Sequence, residues 1–242
     1  MSPTTSISLE KLARLIGGKH TCVGRQKPAM KTRIFSYAAL CALLLAACEP
    51  AATPSRADTV TFAASKGLVD FEFAMTGGGR PGEWSIVRDD ATQALAQTGT
   101  DSTDDQFPVA IYRPFSARNV YVSIRFMAVS GKVDRAGGVV VRLTSTGDYY
   151  LARANALENN VRFYRVVGGN RHMIAGVDAR VSSGAWHTLG ITARDDRFII
   201  LFDGRELFGA TDGTLPDPGR IGMWTKADSV TWFESIKVKS LD

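Results

Sequence analysis

Long polar side chains recur at alternating positions in the middle of the 242-residue chain, and they belong to Arg142, Arg153, Asn155, Arg162 and Tyr164. Arginine presents a planar fork of five N–H donors, which suits a carboxylate, a phosphate or two neighbouring hydroxyls. Tyrosine adds a flat ring and a hydroxyl. Since forks, amides and flat rings together suit a saccharide, these five residues are the first candidates for a binding site.

Three more residues extend this candidate site. Tyr149 and Tyr150 are adjacent, so their side chains point to opposite sides of a strand, and we expect Tyr149 on the side of Arg153. Trp224 precedes a polar loop at 225–229, where Trp224 and Lys226 are candidates to line a groove. The alternative is a solvated sheet face, on which the arginines pair with surface acids and bind no ligand.

Residues for other kinds of chemistry are sparse. His172 and His187 are the only histidines after residue 47, and no cysteine follows Cys48, so neither zinc binding nor a cysteine nucleophile is expected. The glycines at 77–82 match the spacing of a dinucleotide-binding loop, but the next residues lack a helical pattern. Asp101, Asp104 and Asp105 could bind calcium, and the alternative interpretation is a solvated acidic loop that binds no metal. We therefore expect no cofactor and no metal.

Composition and charge narrow the function classes. Apolar residues make up 45% of the chain and charged residues 22%, which is ordinary for a globular protein and excludes a disordered or collagen-like chain. The net charge of +5 comes from the first 47 residues, which hold seven Lys or Arg and one Glu. The remainder carries 22 basic and 23 acidic residues, so we expect no nucleic-acid partner.

The segment after Met30 has the form of a secretory signal. Lys31 and Arg33 precede an apolar run that ends in Leu45-Ala46-Ala47-Cys48. This ending resembles the lipobox of bacterial lipoproteins, which implies that Cys48 is acylated and becomes the first mature residue. The alternative is a plain secretory signal followed by an incidental cysteine. As a helix, the run would rise only about 21 Å, which is short for a permanent membrane span.

These features divide the chain into four parts. We expect residues 1–29 to be an extension before a start at Met30, residues 30–47 a signal peptide, residues 48–58 a tether rich in proline and alanine, and residues 59–242 one domain. The expected location is the bacterial cell envelope, with the domain lipid-anchored and facing the periplasm. We expect a monomer that contacts the membrane through its lipid anchor.

Apolar residues in the domain recur with a period of two along the sequence. Val120, Val122, Ile124 and Phe126 alternate with polar residues, and similar runs recur every 8–14 residues. Turn residues separate the runs, and Gly168-Gly169 and Asp203-Gly204 predict two hairpins. We predict an all-β fold, a two-sheet antiparallel β-sandwich.

With these elements placed, several motifs resemble those of concanavalin A-like jelly rolls. The residues that carry the resemblance are Gly138–Arg142, Asp148–Leu151, Arg153, Asn155, Val161–Tyr164, Gly184–Leu189, Phe202–Gly204 and Gly219–Trp224. The resemblance is narrower to bacterial secreted modules related to 3-keto-disaccharide hydrolase-like and laminin-G-like domains. It implies a curved sheet whose concave face holds a saccharide, and it gives Trp186 and the Asp-Gly turn architectural roles. We expect Trp186 to anchor the core.

Three functions remain in competition. The first is a non-catalytic carbohydrate-binding domain that prefers acidic or highly hydroxylated glycans. The second is a glycoside hydrolase or lyase related to 3-keto-disaccharide hydrolases, although the Glu-x-Asp-x-x-Glu motif of the related laminarinases is absent. An unpatterned pair of acids such as Asp134 and Asp178 would have to replace it. The third is a structural envelope protein that binds other proteins.

Overall fold

Antiparallel strands make up most of the structure. The computed structural model describes residues 57–62, 65–89 and 92–242. Within these ranges, no helix has the length and apolar character needed to cross a bilayer. The strands are β1 Ala57–Thr61, β2 Phe71–Gly77, β3 Trp84–Arg88, β4 Gln93–Gln97, β5 Gln106–Ala117, β6 Val120–Ser130, β7 Ala136–Ser145, β8 Asp148–Asn155, β9 Asn160–Val167, β10 Asn170–Asp178, β11 Trp186–Arg194, β12 Arg197–Phe202, β13 Arg205–Thr211, β14 Gly219–Trp224 and β15 Val230–Ser240. A short 3-10 helix, Ser65–Asp70, precedes β2.

The strands form two sheets that pack face to face as a jelly-roll sandwich, which confirms the predicted fold class. The eight-stranded sheet has the order β13-β12-β11-β6-β15-β4-β3, with β1 paired to the end of β15. The seven-stranded sheet has the order β10-β9-β8-β7-β14-β5-β2. Ala57 and Asp58 pair with β15, so the sheet begins two residues inside the segment predicted to be a tether.

The core lies between the sheets and follows the predicted alternation. Val122, Ile124 and Phe126 of β6 face Phe163 and other apolar residues of the seven-stranded sheet, and all four are fully buried. Each such side chain contributes about 1.5–3 kcal/mol by leaving water. This burial accounts for the regular period of two in the sequence.

Both predicted hairpins are present. β9 and β10 pair across Gly168-Gly169, and β12 and β13 pair across Asp203-Gly204. All four turn residues have positive φ, as a two-residue hairpin turn of the type I′ requires.

The expectation that Trp186 anchors the core is wrong. Trp186 shares its face of β11 with Thr188, whereas Leu189 and Ile191 face the core. The indole therefore lies on the outer face of the eight-stranded sheet, where the guanidinium of Arg125 sits 5.2 Å from its ring centroid.

Arg142 also departs from its predicted place on the outer side of the seven-stranded sheet. Its φ of 52° lies at an irregularity in the β7–β8 pairing, and this left-handed residue interrupts the alternation of β7. Its side chain consequently enters the space between the sheets and is fully buried. The guanidinium donates to the carbonyl oxygens of Arg118 at 2.9 Å, Leu215 at 3.1 Å and Asp195, so it is not available to a ligand.

Asp212 closes the same edge of the sandwich. Its carboxylate accepts hydrogen bonds from the Tyr150 hydroxyl at 2.8 Å and the Thr214 amide at 2.9 Å, and it pairs with Arg165 at 2.6 Å. Burial alone would raise the pKa of Asp212, but the hydrogen bonds from Thr214, Tyr150 and Arg165 outweigh it and lower the pKa to about 2. Together with Arg142, this carboxylate holds the β13–β14 loop against β8.

We expect Arg142→Met to destabilise the protein, because three carbonyl groups would lose their charged donor inside the sandwich. The expected loss in the free energy of unfolding is about 3 kcal/mol, measured by urea denaturation. The exposed Arg205→Met is the control and should change stability by less than about 0.5 kcal/mol. Equal stability of the two variants would show that the buried guanidinium does not hold the loop.

The lowered pKa of Asp212 predicts an acid-sensitive contribution to stability. A carboxyl whose pKa is depressed in the folded state stabilises the protein above its unfolded value of 3.8, and this contribution disappears as the pH falls towards about 2. Asp212→Asn should therefore be less stable than the parent at pH 7 and should lose less stability between about pH 4 and pH 2. Denaturation midpoints across that range measure this difference, and Asp217→Asn, on the same loop and exposed, should follow the parent curve.

Candidate functional site

The seven-stranded sheet curves strongly, and its outer face is the concave one. β10 and β5 lie five strand positions apart, which corresponds to about 24 Å in a flat sheet. Yet the guanidinium of Arg171 on β10 sits 5.1 Å from the ring centroid of Phe107 on β5. At another point, Thr76 on β2 donates a hydrogen bond to the carbonyl oxygen of Thr146 in the β7–β8 turn. The two ends of the sheet therefore meet across its outer face.

A second apolar cluster fills this concave face. Trp224 stacks on Phe107 with their ring centroids 5.5 Å apart, and Gly138 makes room for the indole because a Cβ there would lie 3.0 Å from it. The members of the cluster are Phe107, Val109, Ile111, Ala136, Val140, Leu143, Tyr149, Leu151, Tyr164, Val166 and Trp224. The concave face is thus a second packed layer of side chains.

Charged groups collect beside this cluster, at the end where β14 leaves the sheet. Lys226 is only 7% exposed and pairs with Asp104 at 2.5 Å and with Asp134 at 3.3 Å. The Asp134 carboxylate also lies 3.8 Å from the guanidinium of Arg153, and Arg153 pairs with Glu158 at 2.6 Å. Two buried cations and one buried carboxylate therefore share the site with two acids at its rim, whose side chains are 77% and 49% exposed.

Loop contacts hold these charges in place. Asn155 donates to Asp134 at 2.9 Å and accepts the backbone N–H groups of residues 157 and 158. The carboxylate of Asp228 accepts the N–H groups of residues 132, 133 and 134, which fixes the loop that carries Asp134. A cavity of about 550 Å³ adjoins this loop and is lined by Ser102, Lys132 and Arg135 among others.

Two buried N–H donors of the concave face lack an acceptor among the described residues, namely Arg153 Nε and Arg171 Nη1. The Trp224 indole instead contacts the Tyr149 hydroxyl. The Arg171 guanidinium lies 4.8 Å from the ring centroid of Tyr164 and 6.0 Å from that of Trp224, and no described carboxylate pairs with it. Buried donors without partners are costly and few in folded proteins, so their concentration at one place marks a site that favours acceptor oxygens.

The structure brings seven of the eight predicted ligand-binding residues onto the concave face and removes one. Tyr149 faces this side, as predicted, and its hydroxyl contacts Thr76, while Tyr150 faces the core. Burial raises the pKa of the Tyr149 hydroxyl. The residues on the concave face are Tyr149, Arg153, Asn155, Arg162, Tyr164, Trp224 and Lys226.

The expected platform of neighbouring arginines is not formed. Arg142 lies between the sheets, Arg153 is enclosed by acids, and Arg162 pairs with the exposed Asp178 at 2.7 Å. The guanidinium that covers the rings belongs to Arg171, which is not among the predicted site residues. The predicted β9–β10 hairpin already contained the signal, since its two-residue turn pairs Arg171 with Val166 on the face of Tyr164.

The acids of this face differ in their ionisation. Burial raises the pKa of Asp134 against the opposing charges of Arg153 and Lys226. The hydrogen bond from Lys226 lowers the pKa of Asp104, and the hydrogen bonds of Asn160 and Arg153 lower that of Glu158 despite its partial burial. Asp178, the other half of the suggested catalytic pair, lies with Arg162 and is 86% exposed.

The acidic loop at 101–105 does not gather its carboxylates. Asp101 accepts hydrogen bonds from Arg80 and Thr103, whereas Asp104 pairs with Lys226. Across the described ranges, no group of three or more His, Cys, Asp or Glu side chains is arranged to hold a metal ion.

Solved structures with the same architecture come from several kinds of protein. A carbohydrate-binding module, CBM66 from Bacillus subtilis, covers 69% of this chain and 95% of its own, with 19% identity and a TM-score of 0.56. A Bacillus subtilis protein of unknown function with a galectin-like fold covers 76% and 94%, with 11% identity and a TM-score of 0.58. The kappa-carrageenase from Pseudoalteromonas carrageenovora, in complex with an oligotetrasaccharide, covers 79% and 98%, with 12% identity and a TM-score of 0.50.

The fold is one that carbohydrate-binding modules and glycosidases also use. No family model matches the sequence, and no curated protein is similar to it. At these identities the comparisons establish the architecture alone, so the narrower resemblance to 3-keto-disaccharide hydrolase-like and laminin-G-like modules stays a prediction.

Proposed function

We propose that this domain binds an acidic saccharide at the concave face of the seven-stranded sheet and has no catalytic centre of its own. The observation that carries the proposal is the half-buried Arg171 guanidinium, which lies over Phe107 and Tyr164 and keeps one N–H donor without an acceptor. A sugar offers ring, hydroxyl and carboxylate oxygens to such a donor, and the ring of Tyr164 lies beside it. Aromatic faces beside hydrogen-bonding groups suit the alternating apolar and polar edges of a sugar ring.

Charge favours an acidic ligand over a neutral one. Arg171 has no carboxylate partner in the described part of the chain, and its guanidinium lies over aromatic rings, where water screens it poorly. A uronate carboxylate or a sulfate group would supply the missing counter-charge. Such charge-assisted hydrogen bonds are about twice as strong as those between neutral groups.

The exposed rim limits how a ligand enters. Asp104 and Glu158 stand at the surface beside the buried Lys226 and Arg153, so a ligand approaches past two ionised acids. We infer that it meets Arg171 and Tyr164 first, because the Arg171 guanidinium lies over the aromatic rings and forms no ion pair with a described carboxylate, while its charge also lowers the pKa of Asp104. The adjoining cavity of about 550 Å³ would accommodate further sugar units.

Replacement of Arg171 should abolish most of the binding. For Arg171→Ala we expect an affinity for uronate or sulfated oligosaccharides that is about 10- to 100-fold weaker, corresponding to a charged hydrogen bond of about 1.5–3 kcal/mol. Isothermal titration calorimetry measures the affinity, which should also fall as salt is added. His172→Ala is the matched control, because His172 is the next residue on β10 and is exposed.

Unchanged affinity in Arg171→Ala would remove the proposed site. Because Arg171 also covers the apolar cluster, the free energy of unfolding of the variant is measured alongside, and Arg171→Lys provides a second variant that keeps the charge but loses the fork. An Arg171→Lys variant that binds as tightly as the parent would show that only charge matters.

A glycoside hydrolase is the second candidate, and one observation favours it. The pKa of Asp134 is raised, whereas the pKa values of Asp104 and Glu158 are lowered. A glycoside hydrolase needs one protonated carboxyl group as the acid and one ionised carboxylate, and this difference in pKa would supply both. However, Asp134 is only 1% exposed and already contacts Asn155, Lys226 and Arg153. Release of sugar products by the parent protein, lost in Asp134→Asn, would favour this candidate over binding alone.

We also propose that an acylated Cys48 displays the domain from a bacterial envelope membrane, facing the periplasm. The support is the sequence pattern at residues 30–48, which lies outside the described residues. Multiple acyl chains would anchor the domain firmly, since each buried CH₂ contributes about 0.8 kcal/mol.

If the domain is lipid-anchored in this way, Cys48 should carry acyl chains. In a bacterial host, the parent protein should incorporate labelled palmitate and partition into the membrane fraction, whereas Cys48→Ser should do neither. Cys41→Ser lies within the signal and should still be labelled. Labelling that persists in Cys48→Ser would contradict the proposed modification.

A further inference from the structure

The outer face of the eight-stranded sheet carries a polar groove on the opposite side of the sandwich from the concave face. Its volume is about 370 Å³, within the range of small-ligand pockets. Four neighbouring strands contribute the lining residues, which are Thr59, Thr61, Tyr121, Ser123, Arg125, Thr188, Glu234, Ser235 and Lys237.

Small side chains on adjacent strands form the floor of this groove. Ser123 on β6 pairs with Gly190 on β11, and Ser235 on β15 pairs with Thr61 on β1. Ser123 is 4% exposed and Ser235 is 6% exposed, although both lie on the outer face of the sheet. A fully solvated sheet face would leave such residues open, so the longer neighbouring side chains must wall them in.

Two contacts hold the side chains at one end of the groove. Arg125 pairs with Glu234 at 2.5 Å and places its guanidinium 5.2 Å from the ring centroid of Trp186. An ion pair and an aromatic ring thus hold the same side chain from two sides. The ion pair joins β6 to β15 at this end of the groove.

The floor and sides present hydroxyl groups that the protein does not use. In the part of the chain that the structure describes, the side-chain hydroxyls of Thr59, Ser123, Thr188 and Ser235 form no hydrogen bonds with other protein groups. A hydroxyl can both donate and accept, so these groups suit a ligand that does the same. An apolar ligand would bury them unpaired at a cost. The charged lining residues are the Arg125–Glu234 ion pair and Lys237.

We propose that this groove is a second saccharide site, which recognises the hydroxyl groups of a sugar. It is independent of the acidic-saccharide site on the concave face. The two sites lie on opposite sheets, so one molecule could bind two glycan segments at once. On a polymeric glycan, the second binding event would profit from the high local concentration created by the first.

Amide chemical-shift perturbation in the full domain tests the groove directly. The probes are short neutral hexose and N-acetylhexosamine oligosaccharides, and the expected shifts lie at residues 121–125, 188 and 235–237. Ser123→Leu fills the floor and should weaken this binding at least tenfold. Thr211→Leu is the matched control, because Thr211 is exposed on the edge strand β13 and lies outside the groove, and it should bind as the parent does.

The outcomes separate this proposal from the concave-face site. Groove shifts that persist in Arg171→Ala would support an independent second site, whatever happens to acidic-saccharide binding. Shifts confined to the concave face, or groove binding that survives in a folded Ser123→Leu, would overturn the proposal. Absence of any shift with all neutral probes would overturn it as well, while leaving the site around Arg171 unaffected.

Discussion

The seven-stranded sheet is apolar on both faces, and this constraint shapes the rest of the molecule. The eight-stranded sheet covers its inner face, but the outer face needs a cover of its own because exposed Trp224, Leu151 and Val166 would be costly in water. The sheet meets this need by curving until Phe107 and Arg171 lie over the cluster. Fold stability and the candidate site therefore depend on the same curvature.

This packing of the concave face determines which side chains remain available to bind a ligand. Aromatic rings and aliphatic side chains occupy the centre, so polar recognition is left to Arg171, Arg153 and Lys226 at the margin. Acids balance two of these cations, and only Arg171 has no carboxylate partner among the described residues. The opposite outer face carries hydroxyls and one ion pair instead. A single sandwich thus presents aromatic rings with cations on one side and a surface rich in hydroxyl groups on the other.

The backbone angle φ of Arg142 decides whether its side chain lies on the binding face or in the core. By alternation it should have stood beside Tyr149, yet its left-handed φ sends the guanidinium between the sheets to three carbonyl oxygens. There it stabilises the β13–β14 loop together with Tyr150 and Asp212. The buried cation serves the architecture, and the guanidinium that covers the concave face comes from Arg171 on β10, three strand positions away.

Local patterns in the sequence determined the elements and most of their orientations. Alternating hydrophobicity and two-residue turns predicted the strands, both hairpins and the side that Tyr149 faces, because each depends only on neighbouring residues. Tertiary structure alone decided which strands meet: Lys226 reaches Asp104 and Asp134 across more than 90 residues of sequence, and Arg171 reaches Phe107 across the curved sheet. It also decided that the Arg142 side chain lies between the sheets. Curvature and bulges arise from the packing of the whole sandwich, so no short stretch of sequence contains them.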